Sequence, residues 1–292
     1  MHKTTDSAVY FINALSIDVE DYWSIFSRDC LGVDKEPTDA VVRNTQWFLD
    51  TLAQRKIKAT FFVLGEVARK FPELVKAIAS VGHEIGTHGM SHKQVFLLGK
   101  EQFRAEIRDS KKLIEDIASV PVKGHRAPAF SIMPHTDWAL EILAEEGFEY
   151  DSSIFPIAGK RYGWPEFSKK ICKIDLPSGK TIIEVPMSVV TFLGKNLPAC
   201  GGGYLRHFPY IVTKWAIKRI QQQRPAIVYM HPYEIDTADL PFQTVNLSNA
   251  QKTKSCTFHK IQMRNRRTVK EKFLRLLDEF QFCPIIRLIW NF

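Results

Sequence analysis

The stretch FINALSIDVED, residues 11–21, joins a mostly apolar run to three carboxylates within its last four positions. The run 11–17 predicts a buried β-strand, and Asp18, Glu20 and Asp21 mark its carboxyl end. Carboxylates crowded at a strand end repel one another unless a cation or an arginine lies among them. The stretch therefore indicates either a charged functional site or a solvated strand exit that caps a following helix.

Strand-like and helix-like segments alternate along the rest of the chain. Apolar spacing predicts further strands at 59–63 and 226–230, and helices at 38–55, 67–81, 100–117, 137–147, 211–223 and 264–280. Repeated strand and helix units predict a parallel sheet or barrel. The proline-rich region 154–200 predicts hairpins and loops over the barrel mouth.

A histidine pair lies in GHEIGTHGMSH, residues 82–92. His88 and His92 are four positions apart, so both can reach one divalent ion from a helix or a tight loop. The glycines around them favour a loop, which can hold polar ligands that a core could not satisfy. Together with the carboxylates of residues 18–21, the pair indicates a metallohydrolase.

Three downstream motifs place polar residues after apolar stretches: GHRAPAFS with Arg126 and Pro128, YDSS with Asp151, and AIVYM running into His231. In a parallel α/β sheet, residues just beyond the strand ends collect on one face. Arg126 could orient a catalytic carboxylate or form a surface ion pair. His231 could be a general acid or a hydrogen-bonded structural histidine.

The motif GGGYLR, residues 201–206, allows two interpretations. Its glycines, Gly202 at their centre, could let the backbone approach a ligand closely, or could form a tight turn with unusual dihedral angles. Tyr204 and Trp164 could present flat faces to a sugar ring or could simply pack in the core.

As an ordered set, SIDVEDYW, KATFFVLGEVA, GHEIGTHGMSH, GHRAPAFS, YDSSIFP, GGGYLR and VYMHPYEID resembles the polysaccharide deacetylase (NodB-homology) family. The set is similar in particular to the branch associated with exopolysaccharide and exosortase loci, which carries a C-terminal extension. The resemblance covers residues 11–283. It implies an α/β fold, a distorted (β/α)7-type barrel, in one domain over residues 1–292, with a core at 11–236 and a helical extension at 237–292.

The family implies metal-dependent removal of acetyl groups from an N-acetylated glycan or a lipid-linked oligosaccharide. By position, His88 and His92 match its metal ligands, Asp18 its general base, Arg126 the residue that orients this base, and His231 its general acid. Zn²⁺ is the expected ion, with Co²⁺, Ni²⁺ and Mn²⁺ as alternatives. From the residues themselves, the candidates for substrate contact are Pro128, Asp151, Gly202, Tyr204 and Trp164.

The acidic metal ligand stays open between two residues. The family commonly carries two adjacent aspartates, whereas this chain reads Asp18, Val19, Glu20, Asp21. The shorter side chain favours Asp21. Alternation along a strand instead puts Glu20 on the same side as Asp18.

The net charge of +8 comes with a basic run between residues 252 and 272, but no nucleic-acid motif accompanies it. The run favours a solvated face, with peripheral binding to anionic lipid as the alternative.

The five cysteines are odd in number and widely spaced, which predicts free thiols. The beginning of the chain lacks a long apolar run and IIRLIW is too short to span a bilayer, so we expect a cytoplasmic enzyme, with the inner membrane face as an alternative. The sequence does not predict an oligomeric state.

Two other functional classes fit parts of the pattern. An amidohydrolase acting on a small cyclic imide or ureide would share the metal chemistry. A catalytically silent carbohydrate-binding protein would keep the aromatic walls but would lack an essential catalytic group, and the joint presence of residues 18, 88, 92, 126 and 231 argues against that class.

Overall fold

One large sheet organises the structure, a computed structural model that describes residues 11–159, 162–239 and 248–290. The strands are β1 Asn13–Val19, β2 Thr60–Val63, β3 Glu84–Thr87, β4 Gly124–His125, β5 Tyr150–Asp151, β6 Cys172–Asp175, β7 Thr181–Glu184, β8 Val189–Phe192, β9 Lys195–Pro198, β10 Ile227–Met230 and β11 Phe282–Cys283. The α-helices are α1 Tyr22–Phe26, α2 Asp39–Gln54, α3 Gly65–Lys70, α4 Pro72–Ser80, α5 Lys100–Ala118, α6 Trp138–Glu145, α7 Gly202–His207, α8 Tyr210–Ile220, α9 Asn249–Met263, α10 Val269–Glu279 and α11 Ile285–Ile289.

The sheet curls into an incomplete barrel of seven parallel strands in the order β10, β1, β2, β3, β4, β5 and β7. Strand β6 adds an antiparallel edge to β7, and β11 pairs with the first residues of β1. Strands β7 and β10 do not pair with each other in the described chain, and beyond β10 the sheet continues only as an isolated parallel bridge between Gly201 and Tyr229. The predicted distorted α/β barrel with a helical C-terminal part is confirmed.

Strand β1 is buried along its whole length because both of its faces are covered. Leu15, Ile17 and Val19 belong to the apolar layer between the sheet and the surrounding helices. Alternation sends Ala14, in the barrel interior cluster, and Asp18 to the opposite face. The first strand therefore delivers a carboxylate into the barrel.

Most predicted elements are confirmed within a few residues, but the single helix predicted at 67–81 is wrong. It is two helices, α3 and α4, because Pro72 has no backbone N–H to continue α3 and disfavours a helical conformation at Phe71. The predicted helix 264–280 starts only at Val269, after a short 3₁₀ turn.

The region 154–200 does form hairpins, β6–β7 and β8–β9. The first of them is not a loop over the mouth, because β7 joins the barrel sheet beside β5. None of the five cysteines, all of which lie in the described ranges, forms a disulfide, which agrees with the prediction. Within the described ranges, no helix is long and apolar enough to cross a membrane.

The buried His83, which precedes β3, predicts a pH-dependent stability. Its Nδ1 accepts a hydrogen bond from the backbone N–H of Ala59 at 3.2 Å, and burial beside Lys58 lowers its pKa to about 4. The unfolded chain binds the proton of this histidine more readily than the folded chain does. The contribution of His83 to the free energy of unfolding is therefore fully present above the ordinary pKa near 6.5, and it falls by at most about 3 kcal/mol as the pH drops towards 4.

The variant His83→Asn keeps an acceptor atom but cannot titrate. We expect urea unfolding between pH 7 and pH 4 to show a shallower loss of stability in the variant than in the parent. Parallel stability curves for the two proteins would contradict this role of His83.

Candidate active site

Three side chains converge where β1 and β3 end. The Oε2 atom of Glu20 lies 3.1 Å from Nε2 of His88 and 2.9 Å from Nε2 of His92. One ligand atom from each residue lies within 4.8 Å of the other two. Two imidazoles and one carboxylate form a donor set that suits Zn²⁺ and leaves coordination positions open.

Neighbouring groups orient these donors. Nδ1 of His88 donates to the backbone carbonyl of Arg126 at 2.8 Å, which leaves Nε2 free to face a cation. His92 has a left-handed backbone (φ 58°), and its buried Nδ1 has no hydrogen-bond partner among the described atoms. Such local strain is typical of functional sites. Burial opposes ionisation of Glu20, but His92, His231 and the bond from His88 hold its pKa well below the usual value.

The carboxylate of Asp18 lies beside this cluster and is held by a fully buried arginine. Nη1 of Arg126 donates to Oδ1 of Asp18 at 2.7 Å and to Oγ of Ser16 at 2.6 Å. The other guanidinium nitrogens donate to the carbonyl and hydroxyl of Ser152, and the group stacks 4.3 Å from the ring centre of Phe62. Arg126 therefore does not form a surface ion pair. It holds Asp18 by Oδ1 and leaves Oδ2 of Asp18 facing the cavity.

His231 follows β10 and faces both carboxylates. Its Nε2 lies 4.0 Å from Oδ2 of Asp18 and 3.7 Å from Oε1 of Glu20, while its Nδ1 lies 3.4 Å from Glu234. Its ring stacks on Tyr233 at 4.9 Å. Burial disfavours the imidazolium, yet the carboxylates of Glu20, Glu234 and Asp18 raise the pKa of His231 above its usual value. The ring is thus suited to hold a proton near neutral pH.

These groups line one cavity of about 180 Å³ with predominantly aromatic walls. Helix α9 contributes Phe258 and Gln262 to the cavity, although it lies far away in sequence. The other aromatic lining residues are Tyr22, Phe26, Phe130, Tyr162, Tyr229 and Tyr233.

Asp21 lies outside the cluster, which corrects the preference for it over Glu20. It is the N-cap of α1: Oδ2 accepts from the backbone N–H of Ser24 at 3.0 Å, and Oδ1 accepts from the hydroxyl of Thr38 at 2.8 Å. The helix begins directly after the strand, and its unsatisfied N–H groups bind the Asp21 carboxylate. Among the described residues, Glu20 is the acidic member of the candidate metal site.

None of the five predicted substrate-contact residues lines this cavity, and their contact with a glycan stays a prediction. Asp151 is fully buried and accepts from Nδ1 of His125 at 2.7 Å. The hydroxyl of Tyr204 lies 3.2 Å from that of the lining Tyr162, so Tyr204 supports the wall. Pro128 is buried beside Gly89, and the half-buried Trp164 packs against the outer apolar layer. The fifth, Gly202, opens α7.

The tight-turn interpretation of the three glycines at 201–203 is wrong, because none has a positive φ and α7 begins at Gly202, whereas the ligand-contact interpretation stays a prediction. A Cβ on Gly201 would lie 2.2 Å from the buried ring of Tyr229, whereas one on Gly203 would meet nothing within 4 Å. We expect Gly201→Ala to lower the free energy of unfolding by about 1–3 kcal/mol. Gly203→Ala should raise it by about 0.5–1 kcal/mol.

Denaturant unfolding of both glycine variants tests this explanation. Equal changes in the free energy of unfolding of the two variants would contradict it. A loss of substrate affinity in Gly203→Ala would support the ligand-contact interpretation.

The sequence patterns did not reveal the aromatic lining or helix α9. The signal for α9 was present in SNAQ, where Ser248 and Gln251 form a capping box at the start of the helix. The solvated-face prediction for the basic run is wrong at Arg266, which is 2% exposed and lies over the rings of Tyr22 and Tyr233 at 4.7 and 5.3 Å. This arginine holds two walls of the cavity together.

Comparison with known proteins identifies two segments. Residues 30–150 match the family model of polysaccharide deacetylase, and residues 152–289 match a domain of unknown function, DUF3473. The chain is 39% identical over 98 residues to a peptidoglycan-N-acetylglucosamine deacetylase of Bacillus cereus, which is 33% of this chain and 36% of that protein. It is 36% identical over 70 residues to a chitooligosaccharide deacetylase of Rhizobium leguminosarum, or 24% of this chain and 33% of that protein.

The chain therefore spans about a third of the length of these curated relatives. Among solved structures, the fold is similar to that of a candidate polysaccharide deacetylase from Mycobacterium smegmatis, with a TM-score of 0.62 and 18% identity. That match covers 94% of this chain and 87% of the other and shows a shared fold.

Proposed function

We propose that the protein is a metal-dependent hydrolase that removes N-acetyl groups from the sugars of a poly- or oligosaccharide, and the match of residues 30–150 to the polysaccharide deacetylase family model supports this. One observation carries the proposal. A single cavity holds the Glu20, His88 and His92 cluster, the arginine-held Asp18, and His231.

In this mechanism, Glu20, His88 and His92 would hold the divalent ion. When bound, such an ion supplies a Lewis acid that acidifies water and polarises the acyl oxygen of the amide. Asp18 accepts the proton of the attacking water at Oδ2, because Oδ1 is engaged by Arg126.

The leaving amine must be protonated before it departs. His231 Nε2 faces the same space as Asp18 Oδ2, 4.0 Å away, so it can donate that proton. The buried Arg126 positions Asp18 and balances its charge without contacting the substrate.

We further propose that the substrate is an exopolysaccharide or cell-envelope glycan precursor, free or lipid-linked, and that the enzyme acts in the cytoplasm. The names of the relatives, which are deacetylases of peptidoglycan N-acetylglucosamine and of chitooligosaccharides, support an N-acetylated sugar polymer. Zinc is the proposed ion, and cobalt, nickel and manganese are the alternatives.

We also propose that the whole chain acts as one domain. Strand β11 of the C-terminal part pairs with β1, and α9 supplies Phe258 and Gln262 to the cavity. Removing residues 237–292 is expected to abolish activity by opening the cavity and exposing an edge of β1.

The test measures acetate release by the full chain from N-acetylated chitooligosaccharides and from N-acetylated peptidoglycan. We expect activity that a chelator removes and that Zn²⁺, Co²⁺, Ni²⁺ or Mn²⁺ restores, with none in the control His88→Ala/His92→Ala. Hydrolysis of cyclic imides or ureides in place of the glycans would identify the small-molecule amidohydrolase. Glycan binding without hydrolysis, in the metal-loaded protein, would identify a carbohydrate-binding protein.

A further inference from the structure

An exposed apolar surface lies outside the catalytic cavity, on the β8–β9 hairpin and helix α8. Six of the fifteen exposed large hydrophobic residues of the described chain are on these two elements. They form what we call the apolar patch: Phe192, Leu193, Leu197, Ile211, Val212 and Trp215. Apolar side chains clustered on a surface mark an interaction site more often than scattered ones.

The hairpin and the helix that carry the patch are in contact with each other. Val190 pairs with Leu197 across the hairpin, and alternation puts Phe192 on the same face. Val190 is buried, and its strand packs against α8. On α8, Ile211 and Trp215 are one turn apart and lie opposite the buried Ile217. The patch therefore consists of exposed side chains on two elements that pack against each other.

The hairpin tip carries a leucine that the fold itself does not favour. Leu193 and Gly194 both have a positive φ, 47° and 74°, as in the two-residue turns that prefer Asn-Gly. A leucine in this left-handed conformation is strained. Its side chain is 86% exposed, so it contributes almost no packing in return. A binding role outside the chain explains why a bulky apolar residue occupies this position.

The segment that carries the patch has charged side chains of one sign only. Residues 185–233 contain six Lys or Arg and neither Asp nor Glu. Lys195 follows the hairpin tip and Lys218 lies one turn after Trp215, and neither forms an ion pair with a described residue. Apolar and aromatic side chains flanked by lysines suit the interface of an anionic bilayer, where the rings insert and the ammonium groups approach phosphates.

We propose that the apolar patch docks this protein on the surface of an anionic lipid bilayer. Leu193 and Trp215 insert among the headgroups, and Lys195 and Lys218 face the lipid phosphates. The inference is independent of the deacetylase reaction, because no patch residue lines the catalytic cavity.

The experiment is co-sedimentation of the full chain with vesicles of phosphatidylcholine alone or of equimolar phosphatidylcholine and phosphatidylglycerol. The test variant is Leu193→Asn/Trp215→Ser. The matched control, Leu97→Ser/Trp290→Ser, removes one exposed leucine and one exposed tryptophan elsewhere on the molecule. We expect the parent and the control to bind the anionic vesicles. The test variant should need at least about tenfold more lipid to reach the same bound fraction.

Leu193→Asn suits the left-handed turn better than leucine, so the test variant should unfold at no lower a temperature than Trp215→Ser alone. Equal lipid binding by parent and test variant, or no binding of the parent, would overturn the proposal. The proposal would also be overturned if Lys252→Gln/Lys254→Gln lost lipid binding while the test variant bound normally. The basic run would then be the docking surface. A parent dimer that the test variant dissociates, measured by light scattering, would identify a second copy of the chain as the occupant instead.

Discussion

The variant Glu20→Gln is expected to lose its bound metal and, with it, acetate release. An amide oxygen is a weaker ligand than a carboxylate, and the amide removes the only acidic member of the described Glu20, His88 and His92 cluster. Losing a group that merely supports a ligand costs about 10–100-fold in metal affinity, so losing the ligand itself should cost more than about 100-fold. Metal content by elemental mass spectrometry and acetate release measure both effects.

The matched control is Asp21→Asn, the same chemical change one residue along the chain. Asparagine caps helices as well as aspartate, so this variant should keep its metal and its stability. Asp21→Ala should also keep the metal while losing about 0.5–2 kcal/mol of stability with the cap. Metal loss in Asp21→Asn, with retention in Glu20→Gln, would reverse the assignment of the acidic ligand.

The variant Asp18→Asn is expected to keep its metal and bind substrate almost normally while kcat falls by about 10²–10⁴. Its amide oxygen can still accept from Arg126, but the side chain can no longer take a proton. The buried guanidinium would also lose its counter-charge, so the thermal midpoint must be measured with the kinetics. Both assays are run below the temperature at which the variant begins to unfold.

Ser16→Ala provides the control for Asp18→Asn. It removes another acceptor of the same guanidinium, at 2.6 Å, without touching the proton acceptor. Ser16→Ala should lower the free energy of unfolding by about 1–3 kcal/mol and change kcat less than tenfold. Equal losses of kcat in the two variants would show that Asp18 acts only through the position of Arg126.

Much of the barrel could be predicted from local patterns. The strand at β1, the helices α2, α5 and α8, and the strand β10 follow from apolar periodicity, which reports how each segment is buried. The break at Pro72 has a local signal in the proline itself. The apolar spacing continues across it, however, and so predicts one helix. The short strands β4 and β5 have two residues each and carry no period of their own.

Residues Asp18, His88, His92, Arg126 and His231 do share one site, as their places at strand ends predicted. The common edge of a parallel sheet makes that convergence a consequence of chain order. Side-chain direction is different, because it depends on the local structure that begins after each strand. Asp21 turns away to cap α1, and Asp151 is covered by its own neighbours.

The sequence by itself determined the strand and helix alternation, and with it the edge of the sheet where the polar residues gather. It does so because burial periodicity is a local property of the chain. Only the tertiary structure decided that Glu20 and not Asp21 faces the histidines, that α9 closes the cavity with Phe258, and that Arg266 is buried between Tyr22 and Tyr233. The first outcome depends on the helix that begins after Asp21, and the other two depend on contacts between segments as far apart as residues 22 and 266, whose geometry no local pattern contains.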